Sequence, residues 1–124
     1  MENKTIKSFT DLLVWRQAHE LVLEIYKITK KFPNEEKYGL IDQIRRAAIS
    51  ITSNIAEGFS RGGYKEKCQF YYMSLGSLTE VQNQLLVARD VGYISGLEFD
   101  RMAERTTSVQ KLLNRFISTT RSFI

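Results

Sequence analysis

Three observations predict an all-α protein, an up-down-up-down antiparallel four-helix bundle. Four segments carry apolar residues at spacings of three and four, the period of an α-helix. Short links marked by Pro33, by the glycines between 58 and 63, and by Gly92 separate them. No segment alternates apolar and polar residues in the two-residue period of a strand. Short links oblige successive helices to lie antiparallel and side by side, and a chain of 124 residues is one domain of ordinary size.

Residues 1–7 are polar and aperiodic, which predicts a loose N-terminal tail. Ser8-Phe9-Thr10-Asp11 reads as a capping box opening a helix over about residues 9–31. Along it Leu12, Trp15, His19, Val22, Tyr26 and Thr29 form one stripe. Val14, Ala18, Leu21, Ile25 and Ile28 form a second beside it, a width suited to a helix wedged between two neighbours. Pro33 stops this helix, and Lys30 and Lys31 complement the negative end of its dipole. Asn34 is expected to cap the next turn, before Tyr38 and Gly39 lead into the second helix.

In that helix Ile44, Ala48, Ile51 and Ile55 fall on a narrow stripe flanked by Ala47, the predicted core face. Asp42, Arg46, Ser50, Ser53 and Glu57, with Gln43 and Asn54 at the edge, make a polar band on the far side. Ile49 and Ala56 fit neither group. They lie at i and i+7 beside Arg45 and Thr52 and widen the low-polarity surface beyond what one core needs, which points to a second packing partner. Gly58 is expected to end the helix by taking the left-handed conformation.

The segment FSRGGYKEK reads as a flexible loop. A third helix follows over about residues 65–91, with Phe70, Ser74, Ser77, Leu78, Val81, Leu85 and Ala88 on one face. Its serines and Gly76 are expected to permit close helix approach, since an interior glycine costs about 1 kcal/mol relative to alanine. Met73, Val87 and Val91 lie off that face, again in excess of one core. Gly92 ends the helix, and Ser95-Gly96-Leu97-Glu98 repeats the capping-box pattern. The last helix runs to about Arg121 along a seam of Met102, Thr106, Val109, Leu113, Phe116, Thr120 and Phe123, supported by Leu112 and Ile117.

Composition narrows the function. Hydrophobic residues make up 43% and charged residues 26%, and no apolar run approaches the roughly 20 residues of a membrane span. The first residues, MENKTIKSF, lack a secretion signal, so the expectation is a cytoplasmic protein and the Asn3-Lys4-Thr5 sequon carries no meaning. Cys68 has no partner for an internal disulfide, and His19 is the single histidine. No metal site and no cofactor are therefore expected. The formal charge of +4 favours anionic partners. From position 101 onward Arg101, Arg105, Lys111, Arg115 and Arg121 face one acid, Glu104.

No catalytic constellation emerges, so the expectation is a protein that is not an enzyme. The glycine loop lacks a lysine directly after its last glycine and a strand before its first, both of which a phosphate-binding P-loop needs. His19 sits on an apolar stripe without a nucleophile or orienting acid, and a packed or interfacial histidine is preferred. Cys68 is read as a small semi-buried residue rather than a nucleophile. In the polar band, Arg46, Ser53, Asn54 and Glu57 are read as a structural network, because Glu57 repels phosphate. Nucleic acid is the sharper reading for Arg61, Lys65 and Lys67, interleaved with Tyr64, Phe70, Tyr71 and Tyr72, and for the i,i+4 pairs Arg101/Arg105 and Lys111/Arg115. The competing reading is that Phe70 and Tyr71 face the core.

Residues 9–33 (FTDLLVWRQAHELVLEIYKITKKFP), 37–47 (KYGLIDQIRRA) and 50–58 (SITSNIAEG) resemble the bacterial four-helix-bundle family of the 23S rRNA intervening-sequence protein, in order and over nearly the whole chain. The family pattern is close to R-R-A-x-S-I-P-S-N-I-A-E-G. The chain supplies Arg45, Arg46, Ala47, Ser50, Ile51 and then Ser53 through Gly58, with Thr52 where proline is usual. A straighter helix is expected for that reason. The resemblance implies a ring-like homopentamer, for which Arg45, Ile49, Ala56, Met73 and Val87 are the expected subunit contacts. It implies only a genetic association with rRNA insertions, and similar bundles are accessory factors to reverse transcriptases. The combined expectation is a self-associating, non-enzymatic bundle that binds RNA or DNA through a basic surface. The alternative is a protein-interaction scaffold or accessory factor without direct nucleic-acid binding.

Overall fold

The computed structural model describes residues 5–124. The first four positions of the expected tail, and with them Asn3 and Lys4 of the sequon, lie outside the described residues. A 3-10 turn, Phe9–Asp11, precedes helix α1, Leu13–Thr29; a second 3-10 turn, Asn34–Glu36, precedes α2, Leu40–Ser60; then come α3, Tyr64–Asp90, and α4, Gly96–Arg121. Each helix packs on its two neighbours around a square, with α2 against α3 the most extensive pairing, and the backbones of the diagonal pairs stay more than 8 Å apart. This is the antiparallel four-helix bundle that the apolar spacing predicts.

The core follows the stripes of α2 and the second stripe of α1, and departs from the predicted face of α3, where Tyr71 and Cys68 are buried and Phe70 and Ser77 only half-buried. Ile44, Ala48, Ile51 and Ile55 of α2 are fully buried, as are Leu21 and Ile25 of α1, Leu78 and Val81 of α3, and Met102, Val109 and Leu113 of α4. The seam of α4 is shorter than expected: Thr120 is buried, but Phe123 lies beyond the helix and is exposed.

Three ends differ from expectation. The Ser8–Asp11 capping box forms, with Asp11 Oδ2 accepting the Ser8 N–H at 3.1 Å and Ser8 Oγ accepting that of Thr10 at 3.2 Å, but it closes only a 3-10 turn. Leu12 then turns extended (φ −75°, ψ 128°), so the helix expected over 9–31 is a turn plus a shorter helix. Asn34 does not cap; Glu36 does, its carboxylate accepting the Leu40 N–H at 3.3 Å. Gly58 does not end α2, which continues to Ser60.

Gly58 instead lies inside the α2–α3 contact. A Cβ there would stand 2.6 Å from Cε1 of Tyr71 and 2.9 Å from Cβ of Phe70. The buried Tyr71 ring thus lies directly on the α2 backbone, and burial, with Cys68 beside it, pushes its phenol up to about 12. Farther along, Ser74 Oγ donates to the Ile51 carbonyl at 2.7 Å and Ser77 Oγ to Ser50 Oγ at 2.9 Å. The serines permit the close approach that was expected of them. Gly76 does not contribute, because nothing lies within 4 Å of its would-be Cβ. At Thr52 the helix runs through uninterrupted, the hydroxyl donating to the Ile49 carbonyl at 3.0 Å.

Gly92 ends α3 as expected. Its φ is +87°, the one positive φ among the described residues. Tyr93 N–H reaches the Ala88 carbonyl at 2.8 Å while Gly92 N–H reaches that of Arg89 at 3.1 Å. This pair of bonds is the Schellman closure. The α3–α4 link is then tied to the α1–α2 link: Tyr93 Oη donates to Glu36 at 2.8 Å, and Lys31 Nζ meets Glu98 at 2.6 Å. Glu98 also accepts the Ser95 N–H in the second capping box. The hydrogen bond from Lys31, then that from the Ser95 backbone, hold the Glu98 carboxyl down at about 2.

Gly58→Ala is expected to lower unfolding free energy in urea by about 1–3 kcal/mol, because the Tyr71 ring has no room to move. Gly76→Ala is expected to raise it by about 1 kcal/mol. Glu98 is depressed on folding, so its contribution is complete above its ordinary pKa near 4.5 and disappears as pH falls toward 2. Urea midpoints measured between pH 5 and 2 should fall less steeply in Glu98→Gln than in the parent.

Candidate functional site

The antiparallel topology segregates charge along the bundle. One half holds the start of α1, the end of α2, the start of α3 and the end of α4: residues 5–20, 50–76 and 108–124. It carries eight basic and four acidic side chains; the other half, 21–49 and 77–107, carries nine of each. The formal +4 therefore resides in one half. That half unites two stretches far apart in sequence, the start of α3 and the end of α4. They are joined there by the stacked rings of Tyr64 and Phe123, 5.2 Å between centroids, and by Arg121 Nη1 donating to Tyr72 Oη at 3.2 Å.

The expected basic residues divide by occupation. Lys67 donates to the Phe59 carbonyl at 2.6 Å, with that of Gly58 at 3.4 Å, and so serves the C-terminal end of α2. Arg61 is ion-paired with Glu57 at 3.2 Å and Glu66 at 3.6 Å and lies over the Phe70 ring. Both are structural clamps on the α2–α3 link. Lys65 is exposed on α3. On α4, Arg105 is tied to Glu24 and Gln17 of α1, and with Arg101 and Lys27 it lines a cleft of about 300 Å³ in the neutral half. Lys111 and Arg115 are exposed in the basic half, Arg115 at the rim of an apolar groove of about 400 Å³ lined by Ile6, Leu13, Leu112 and Phe116. Of the rings noted in sequence, Tyr71 is buried and Phe70 is half-buried, whereas Tyr64 and Tyr72 are exposed. Arg121 and Phe123 complete the cluster; in the sequence the first stands out only as charge and the second as part of the core seam.

No group of three or more His, Cys, Asp or Glu side chains among the described residues is arranged to hold a metal ion. No helix is long and apolar enough to cross a membrane. The link between α2 and α3 contains Gly62 and Gly63 and follows a helix, not a strand. His19 stacks on Trp15, 4.7 Å between centroids and 13° between planes.

The family model described as 23S rRNA-intervening sequence protein matches residues 10–115, from the first turn into the last third of α4. The chain belongs to this family. Among solved structures, a protein of unknown function from the S23 ribosomal protein family of Bacteroides thetaiotaomicron is similar with a TM-score of 0.79. The two are 23% identical over 86% of this chain and 96% of that one, a likeness that speaks for the fold. No curated protein matches the sequence.

In this member of the 23S rRNA-intervening sequence family the polar band of α2 splits into three pieces. Arg46 pairs with Asp42 at 3.0 Å. Asn54 Nδ2 donates to the Ser50 carbonyl at 2.8 Å and to Ser50 Oγ, which receives Ser77 from α3. Glu57 joins the Arg61 clamp, and Ser53 is on the solvent side. The expected subunit contacts fall on two separate faces. Arg45 donates to Thr29 Oγ1 at 2.9 Å and lies over the Tyr26 ring, so Ile49 and Ala56 beside it border α1. Met73 and Val87 project from the outer side of α3, with Val91 on the same stripe. Ile49 is 42% exposed and Met73 56%.

Proposed function

We propose that the protein is a non-enzymatic, self-associating bundle that binds RNA or DNA through its basic half. The observation that carries this reading is the concentration of the whole net charge in one half of a helical bundle. Phosphate contacts from Lys and Arg dominate nucleic-acid affinity. The side chains assigned to that contact are Lys65, Lys111, Arg115 and Arg121. Arg61 and Lys67 support the surface from within, and Arg101 and Arg105 stand apart from it.

Self-association as a homopentamer is part of the proposal. Family resemblance supports it, and so do the two apolar faces, one around Ile49 and Ala56 and one around Met73 and Val87. A cyclic ring of one kind of subunit needs two different surfaces that meet head to tail, in contrast to the single self-complementary patch of a dimer. Five copies would multiply the +4 of one chain and raise the local field accordingly. A protein-interaction scaffold is the second reading. It is favoured by the internal employment of Arg61, Lys67 and Arg105, which leaves one subunit few cations for phosphate.

Retention of RNA or DNA at low salt should be strong and should fall steeply as salt rises. It should be lost when Lys65, Lys111, Arg115 and Arg121 are changed together to Gln, while Arg101→Gln has a small effect. Absence of binding by the parent at low salt leaves the scaffold reading standing. By light scattering the mass should be five times 14.4 kDa, and Ile49→Glu should reduce it with helicity unchanged by circular dichroism. A parent protein that stays monomeric refutes the subunit-contact assignment.

A further inference from the structure

We infer that the outer edge of α3 in the basic half is a stacking platform for unpaired bases, so that the nucleic acid taken is single-stranded; this rests on the proposed nucleic-acid binding. Four aromatic residues are exposed among those described, and three of them gather here: Tyr64 at 46%, Tyr72 at 46% and Phe123 at 61%. Rings left in water at this density are unusual for a surface that only needs to be charged. Every base offers a π-face, and an aromatic side chain beside a cation binds it without regard to sequence.

The rings are held in place. Tyr64 is backed by Phe123, their planes 28° apart, and the hydroxyl of Tyr72 accepts from Arg121 Nη1. Tyr64, the first residue of α3 and on the side of Tyr71, and Tyr72 stand eight residues apart, about 12 Å along the helix axis and about 80° around it. Lys65 lies on the same side as Tyr72, since seven residues separate them. The nearest acid in sequence, Glu66, is turned toward Arg61 at 3.6 Å and so is withdrawn from this edge.

Gly76 supplies an independent observation. It sits one turn beyond Tyr72 on the same edge, interior to a helix where glycine costs about 1 kcal/mol, and nothing in the bundle packs on it. Packing within one subunit therefore gives no reason for a glycine at this position. A strand laid along α3 past Tyr72 gives one, because absence of a side chain lets a sugar and base lie close to the helix. A duplex keeps its bases paired inside and meets the same edge through phosphates alone.

The test is equilibrium binding, at low salt, of a fluorescein-labelled oligo(U), an oligo(dT) and hairpin duplexes of matching length, together with a single strand carrying 2-aminopurine. Single strands are expected to bind at least about ten-fold tighter than duplexes, with quenching of 2-aminopurine. Tyr72→Leu and Tyr64→Leu should each weaken single-strand binding about ten-fold, within the range of one base–aromatic stack, and leave duplex binding unchanged. Tyr72→Phe should retain single-strand binding, and Gly76→Gln should weaken it. Equal affinity for both forms, insensitive to Tyr72→Leu yet lost with the four-cation variant, overturns the platform and leaves the proposed function intact. No binding of either form overturns both. A changed mass of Tyr72→Leu by light scattering assigns the ring to a subunit contact and also overturns it.

Discussion

A ring resting on bare backbone sets the geometry of this bundle. Tyr71 lies where a side chain on residue 58 would stand, within 3 Å of the would-be Cβ. That contact brings α2 and α3 close enough for Ser74 to reach the Ile51 carbonyl and for Ser77 to reach Ser50. Once those bonds are made, α3 has one rotation about its axis. Tyr71, Leu78 and Leu85 point inward, and Tyr72, Met73 and Val87 are left outside. The exposed surface of α3 is thus a consequence of one close packing event on its other side.

The core faces were legible because burial needs only periodicity. The Ile44, Ala48, Ile51, Ile55 stripe is local information, and one segment contains all of it. Gly58 was not legible for the converse reason. A glycine that caps a helix and one that makes room for a ring look alike in one dimension, and the ring comes from Tyr71, thirteen positions on. Gly92 shows the readable case, since its closing bonds go to Ala88 and Arg89 in the same turn. At Ser8 the capping chemistry was read correctly, but a capping box specifies which N–H groups are satisfied and not how long the helix behind it will be.

The surface was read with similar unevenness. Sequence located positive charge on the last helix and near the glycine link as two unrelated stretches; topology makes the end of α4 and the start of α3 neighbours. Conversely, Arg61, Lys67 and Arg105 looked equivalent to Lys65 and Lys111, because an arginine's partner is invisible until the chain is folded. The carbonyls at the end of α2 take Lys67, the Glu57 and Glu66 carboxylates take Arg61, and Glu24 on a distant helix takes Arg105. Charges that close helix ends or join helices are subtracted from those that face a partner.

Placing eight bases against four acids in one half, and nine against nine in the other, also gives the molecule an electrostatic polarity along its long axis. In the field of any polyanion such a body feels a torque as well as an attraction. It turns its basic end forward before contact, over distances of about the Debye length, some 8 Å in physiological salt. A globule with the same +4 spread evenly would be drawn in without being aimed. Antiparallel helices thus give the chain a preferred heading, which added salt would abolish without altering the fold.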